Sequence, residues 1–249
     1  MTRILLLGGT TEAADLARAL ADRRVAAIYS YAGRTQSPAP QPLPTRIGGF
    51  GGVEGLARYL RDEGISHIVD ATHPFAAGMS RNAIAAAAAT GTPLCAFERE
   101  AWKPGPGDLW QPVATAEAAA AALPDRPGRV FLAIGRQTLA PFAARPHHHY
   151  LLRFVDPPDG PLPLPDAEVI VARGPFTEED DRALLVSHRI GCVVAKNSGG
   201  IGARAKLDAA RGESIPVIMI ERPTLPPRRV AHDLRTVLGF LSHPADLGV

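Results

Sequence analysis

Cysteine is nearly absent from this sequence. Of 249 residues two are Cys: Cys95 in Pro-Leu-Cys-Ala-Phe and Cys192 in Gly-Cys-Val-Val-Ala, both apolar runs. That excludes a disulfide scaffold and reads as small buried hydrophobes rather than a redox pair. An excess of one charge is missing too. Lys and Arg total 27 against 25 Asp and Glu, a formal net charge of +2, with no block of like charge. This balance argues against a protein that lives on phosphate backbones. Aromatics are 6% of the chain and do not interleave with basic residues as in a single-strand RNA binder. No apolar stretch approaches the roughly 20 residues of a membrane helix. The opening Met-Thr-Arg-Ile-Leu-Leu-Leu-Gly-Gly has too short an apolar run for a secretory signal. The chain reads as soluble and cytoplasmic, with no nucleic acid and no membrane as partner. Lysine is scarce as well: Lys103, Lys196 and Lys206 are all of it, and the other basic residues are arginine.

What is present is a globular composition, 46% hydrophobic, arranged as alternating strand-like and helix-like segments. Strands are predicted at 3–7, 25–31, 67–70 and 93–97, with helices at 11–21, from 48–52 through 61, and at 74–90. A Pro/Gly stretch, 102–110, reads as a linker. Alternation then resumes, with strands at 129–134, 149–155, 167–172, 191–195 and 215–220. Helices are predicted at 115–122, 136–143, 177–188, 202–211 and near 231–241. The pattern is that of an α/β protein made of two Rossmann-like parallel-sheet domains. The expected limits are 1–98 for the first and 99–249 for the second, with the active site in the cleft between them.

The first strand ends in Gly8-Gly9-Thr10-Thr11-Glu12-Ala13. A strand, a tight glycine turn and a helix start in that order let the backbone approach a pyrophosphate at the helix N-terminus. Thr10 and Thr11 are placed to cap the helix and to donate to phosphate oxygens. An NAD site usually has an acid after the second strand, yet Ile28 to Thr35 contains none. Arg34, with Ser30 and Thr35 beside it, is suited to a 2′-phosphate. The expected cofactor is therefore NADPH rather than NADH. Asp70-Ala71-Thr72-His73-Pro74-Phe75-Ala76 ends another strand, with Pro74 in the favoured first turn of a helix and His73 placed either to face cofactor or substrate or to cap that helix.

In the second half, Lys196-Asn197-Ser198-Gly199-Gly200 again follows a strand. A lysine at a strand end binds a carboxylate or donates a proton. Arg173, in Arg173-Gly174-Pro175-Phe176, belongs to the same sheet edge and suits an anion. Of Arg204, Lys206 and Arg211 on the following helix, some are expected to face solvent. His147-His148-His149 is no metal site by this reading: neighbours on a strand point to opposite faces, and no partner shows ligand spacing. It reads instead as a strand entry with partly exposed imidazoles.

These blocks, together with Gly48-Gly49-Phe50-Gly51-Gly52, resemble the precorrin-6A reductase family of the CobK/CbiJ type, from cobalamin biosynthesis. The resemblance runs from the first strand to about Arg222. It implies NADPH-dependent reduction of one C=C bond of the precorrin-6A macrocycle, a tetrapyrrole, to give precorrin-6B. On this resemblance Gly8, Gly9, Thr10, Thr11, Glu12, Ser30, Arg34, Thr35, Gly49, Gly51 and Thr72 are the cofactor set. Arg173, Gly174, Lys196, Asn197, Ser198, Gly199 and Gly200 are the substrate set. Lys196 is the first candidate proton donor and His73 the second. No metal is expected, since NADPH supplies both electrons, and the product is available for hand-over to the next pathway enzyme. Two other readings stand beside this one: another NADP-dependent oxidoreductase or epimerase, and a non-catalytic dinucleotide-sensing module.

Overall fold

Ile4–Leu7 contains no polar residue and forms a strand, β1, buried along its length. This is the pattern of a parallel strand covered by helices on both faces. The computed structural model describes residues 2–33 and 39–242. The chain divides into two compact units, one of Met1–Glu100 with Pro223–Val249 and one of Ala101–Arg222.

In the first unit β1 is followed by α1 (Thr11–Asp22), β2 (Ala27–Tyr31), β3 (Thr45–Ile47), α2 (Gly52–Asp62), β4 (His67–Asp70), α3 (Ala77–Thr90) and β5 (Leu94–Phe97). The second unit runs through β6 (Trp110–Val113), α4 (Ala116–Ala121), β7 (Arg129–Ala133), β8 (His149–Phe154) and β9 (Ala167–Val171). It continues with α5 (Glu178–Ser187), β10 (Cys192–Lys196), α6 (Ala205–Gly212) and β11 (Val217–Ile220). β12 (Arg229–Ala231) and α7 (Leu234–Ser242) then belong to the first unit again.

All pairings among these strands are parallel. One sheet has the order β3-β2-β1-β4-β5-β12 and the other β9-β8-β7-β10-β11-β6. Both are the 3-2-1-4-5-6 order of a doubly wound sheet, reversing between β1 and β4 in one and between β7 and β10 in the other. The sixth strands are exchanged along the chain: β6 precedes the other strands of its sheet and β12 follows them to complete the first.

This exchange differs from the expected domain limits. Residues 99–249 do not stay together, because Arg229–Ala231 pairs with Cys95–Phe97 and returns the last segment to the first sheet. The expected linker 102–110 ends by starting β6, whose Pro112 is tolerated on an edge strand. The apolar patterns overlooked β3, β6 and β12 for one reason. Each is an edge strand of three or four residues without a continuous apolar run. The helix predicted at 136–143 is instead two short 3₁₀ turns, Arg136–Thr138 and Ala140–Ala144. His148 is buried rather than partly exposed, its Nε2 lying 3.0 Å from Pro124 O.

Alternate residues of β1 feed two cores. Ile4 and Leu6 pack with Leu16, Leu20, Val237 and Phe240, from α1 and α7. Leu5 and Leu7 pack with Leu56, Leu60, Ala83 and Ala86, from α2 and α3. In the second unit Phe131, Leu151, Val193 and Met219 pack with Leu185 and Leu207, from α5 and α6. Both cysteines are buried and free. No helix among the described residues is long and apolar enough to cross a membrane.

Candidate functional site

Open parallel sheets bind ligands outside the carboxyl ends of their strands, where the strand order reverses. In the first sheet that point lies between the turns after β1 and β4. Gly8 lies against Tyr29 of β2: a Cβ there would fall 2.1 Å from the phenol ring. Gly9 has φ +120°, closed to most side chains, and its N–H donates to Tyr29 Oη at 2.9 Å. Burial holds the Tyr29 phenol far above its usual range, so it stays neutral.

Thr10 is the N-cap of α1. Its Oγ1 accepts from Ala13 N at 3.2 Å and donates to Ala71 O at 2.8 Å. The hydroxyl hydrogen is thus committed to the turn after β4 rather than to a ligand phosphate. Thr11 is exposed at the first position of α1, where the helix presents N–H groups and its positive dipole end. Glu12, in the same first turn, faces Arg99 Nη2 at 3.4 Å. The arginine offsets an acid that would otherwise repel an anion. Sequence reasoning did not single out Arg99, which stands just beyond β5 with no motif around it.

Ser30 is buried near the end of β2, and its Oγ accepts from Arg46 Nη1 at 2.8 Å. Arg46 also donates to Gly48 O at 2.9 Å and Gly49 O at 3.1 Å, and lies 3.8 Å from the Phe50 ring centroid. One guanidinium therefore clamps the Gly48–Gly52 turn to β2. That turn contains Gly49 and Gly51, and Gly51 caps α2. Arg46 was missed because it sits in the short strand β3. Arg34 and Thr35 lie outside the described residues.

Asp70 ends β4 and is buried. Its Oδ1 accepts from Thr72 N at 3.1 Å and Thr72 Oγ1 at 2.7 Å. His73 is exposed, and its Nδ1 accepts from Phe75 N at 3.2 Å. α3 begins at Ala77, so Pro74 belongs to the turn before the helix and not to its first turn.

In the second sheet the order reverses between β7 and β10, and Lys196 closes β10. Behind it Asn197 is 3% exposed. Asn197 Oδ1 accepts from Trp102 N at 2.8 Å; its Nδ2 donates to Trp102 O at 3.1 Å and Glu221 Oε2 at 3.2 Å. Trp102 Nε1 donates to Gly200 O at 2.8 Å. Arg222 donates to Asn197 O at 3.0 Å and Ser198 O at 3.1 Å. The turn 196–200 is braced from both sides, and the Asn197 amide serves that brace rather than a ligand. Arg173 and Gly174 follow β9 and are exposed.

Of the basic residues on α6, Lys206 is the one that does not face solvent. It is buried, donates from Nζ to Ala203 O, and lies 5.4 Å from the Trp102 ring centroid. Its pKa is pushed down to about 8, by burial first and the Arg153 charge second, with Asp181 opposing. Arg153 of β8 pairs with buried Asp181 of α5 and stacks 3.6 Å from the Phe176 ring centroid. The Arg173–Phe176 turn thus rests on a buried charge cluster.

The model of a family described as precorrin-6x reductase CbiJ/CobK matches residues 3–242. A precorrin-6A reductase of Rhodobacter capsulatus is 61% identical over 242 residues, covering 97% of this chain and 96% of that protein. A precorrin-6A reductase of Mycobacterium tuberculosis is 44% identical over 226 residues, covering 91% of each. A solved structure of CobK precorrin-6A reductase superposes with a TM-score of 0.93 at 61% identity, over 97% of this chain and 96% of the other.

Proposed function

Since this chain belongs to the precorrin-6x reductase family, CbiJ/CobK, we propose that it reduces one C=C bond of precorrin-6A to give precorrin-6B, using NADPH. Membership in a family of reductases implies a nicotinamide cofactor. The preference for NADPH rests on this chain's own sequence: no acid follows β2, and Arg34 and Thr35 occur in the segment of the sequence from which such sites read a 2′-phosphate. The observation that carries the cofactor half is the glycine turn at the reversal point of the first sheet. A Cβ at Gly9 would meet nothing within 4 Å, so the backbone there is open to a pyrophosphate.

Bound NADPH supplies the hydride. The first turn of α1, with Gly8, Gly9 and Thr11, orients the phosphates. Thr72, positioned by Asp70, completes the cofactor set. In the second unit Arg173, Gly174 and the turn 196–200 hold the acetate and propionate arms of the macrocycle. The Lys196 ammonium gives its proton to the carbon beside the one reduced, with His73 the second candidate. Asn197, Trp102 and Arg222 fix the turn so that Lys196 meets the macrocycle in one geometry.

Two substitutions test these assignments. Lys196→Ala should lower turnover by about a hundredfold or more and leave NADPH affinity within about twofold; unchanged turnover removes Lys196 from the chemistry. Arg34→Ala should weaken NADPH far more than NADH, and equal loss for both overturns the 2′-phosphate assignment.

A further inference from the structure

Basic residues close strand after strand of the second sheet: Arg136 beyond β7, Arg153 in β8, Arg173 beyond β9, Lys196 ending β10 and Arg222 beyond β11. Arg153 is engaged by Asp181, and Arg222 by the turn after Lys196. Arg136 and Arg173 differ. Their side chains are 50% and 59% exposed, and each pairs with an aspartate of one loop. Both Arg136 Nη atoms donate to Asp159 Oδ2 at 3.1 Å. Arg173 Nη2 lies 3.6 Å from Asp156 Oδ1. β8 runs between β7 and β9, so the loop that follows it carries the two acids in between the two arginines. Two strand spacings separate the parent strands of the arginines, about 10 Å.

We propose that Arg136 and Arg173 form a two-cation subsite for carboxylate arms of the macrocycle, with Asp156 and Asp159 as internal counter-ions that the substrate displaces. This rests on the reading of that sheet edge as the substrate edge. Exposed ion pairs contribute little to stability, so exchanging one carboxylate for another is inexpensive. The guanidinium fork suits a carboxylate in bidentate geometry. With the aspartates in place the two arginines do not attract a stray phosphate, so the counter-ions favour a ligand able to replace both at once.

Steady-state kinetics with precorrin-6A at saturating NADPH, alongside NADPH fluorescence titration, tests the subsite. Arg136→Gln should raise KM for precorrin-6A tenfold or more and leave the NADPH Kd within twofold. Arg136→Lys, which keeps the charge without the fork, should raise it less. The Asp156→Asn/Asp159→Asn double variant should lower KM severalfold, because the internal competitor is gone. A KM within twofold of wild type for Arg136→Gln, or a raised KM in the double variant, overturns the proposal. Arg173→Gln separates the two possible failures. If it raises KM while Arg136→Gln does not, the subsite falls and the substrate-edge reading stands. If neither moves KM, both fall together.

Discussion

The side-chain amide of Asn197 closes on both backbone polar atoms of Trp102, 95 residues away in sequence. One amide thereby ties the segment that enters the second unit to the turn that carries Lys196. Asn197→Ala would leave the Trp102 N–H and C=O and the Glu221 carboxylate without this partner. The expected cost is about 2 to 3 kcal/mol, typical of buried groups stripped of a hydrogen bond. Lys196 loses its brace, so kcat should fall by more than KM rises. Thermal unfolding and saturation kinetics on the same preparation check this; a variant with wild-type melting and wild-type kcat contradicts it.

Gly8 has no room for a methyl group. In Gly8→Ala the new Cβ must displace the Tyr29 ring, and overpacking of this kind costs about 1 to 3 kcal/mol. Tyr29 accepts the Gly9 N–H, so its movement disturbs the turn that faces the pyrophosphate. NADPH affinity should drop by about tenfold or more, the equivalent of about 1.4 kcal/mol, measured by fluorescence titration. An unchanged Kd would show that the turn is not the cofactor's.

Asp181 is the acid that faces both buried cations, Arg153 and Lys206. Asp181→Asn leaves those charges uncompensated, and breaking a buried pair in this way costs about 3 to 5 kcal/mol. The melting temperature should fall sharply, and Phe176, stacked on Arg153, should lose its anchor. A shift no larger than that of a surface substitution would remove the cluster from the account of stability.

Lys206 makes a pH-dependent contribution whose sign follows from its lowered pKa. In the folded chain it gives up its proton near pH 8, against 10.5 ordinarily. Between those values the unfolded chain binds more protons, so stability rises with pH through that window. Below pH 8 both states are charged and the cost of burial is present in full. Lys206→Met should therefore be more stable than wild type near neutral pH, by at most roughly 3 kcal/mol. It should also lose the rise in melting temperature between pH 8 and 10. A melting profile parallel to that of wild type contradicts the assignment.

The fold class was legible in the sequence because its central strands are continuous apolar runs. Ile4–Leu7 and Val217–Ile220 hold no polar residue and no exposed position, and their periodicity differs from that of the helices between them. The exchanged edge strands were not legible. Trp110–Val113 and Arg229–Ala231 are short, polar in part and defined by what they pair with rather than by their own pattern. The glycine turns were visible as motifs, but the roles inside them were not. Thr10 and Asn197 look like ligand donors in the sequence, and in the fold their side chains are engaged by Ala71 and Trp102. Arg46, Arg99 and Arg136 carry no local signature. Ser30, Glu12 and Asp159, which they face, lie far along the chain, and only the fold brings them together.

The central claim is tested most directly by NADPH absorbance decay. Purified protein is mixed anaerobically with precorrin-6A, with NADH in a parallel cuvette. The account predicts loss of NADPH that depends on precorrin-6A, with little loss of NADH. Tight NADPH binding without oxidation in the presence of precorrin-6A would contradict it.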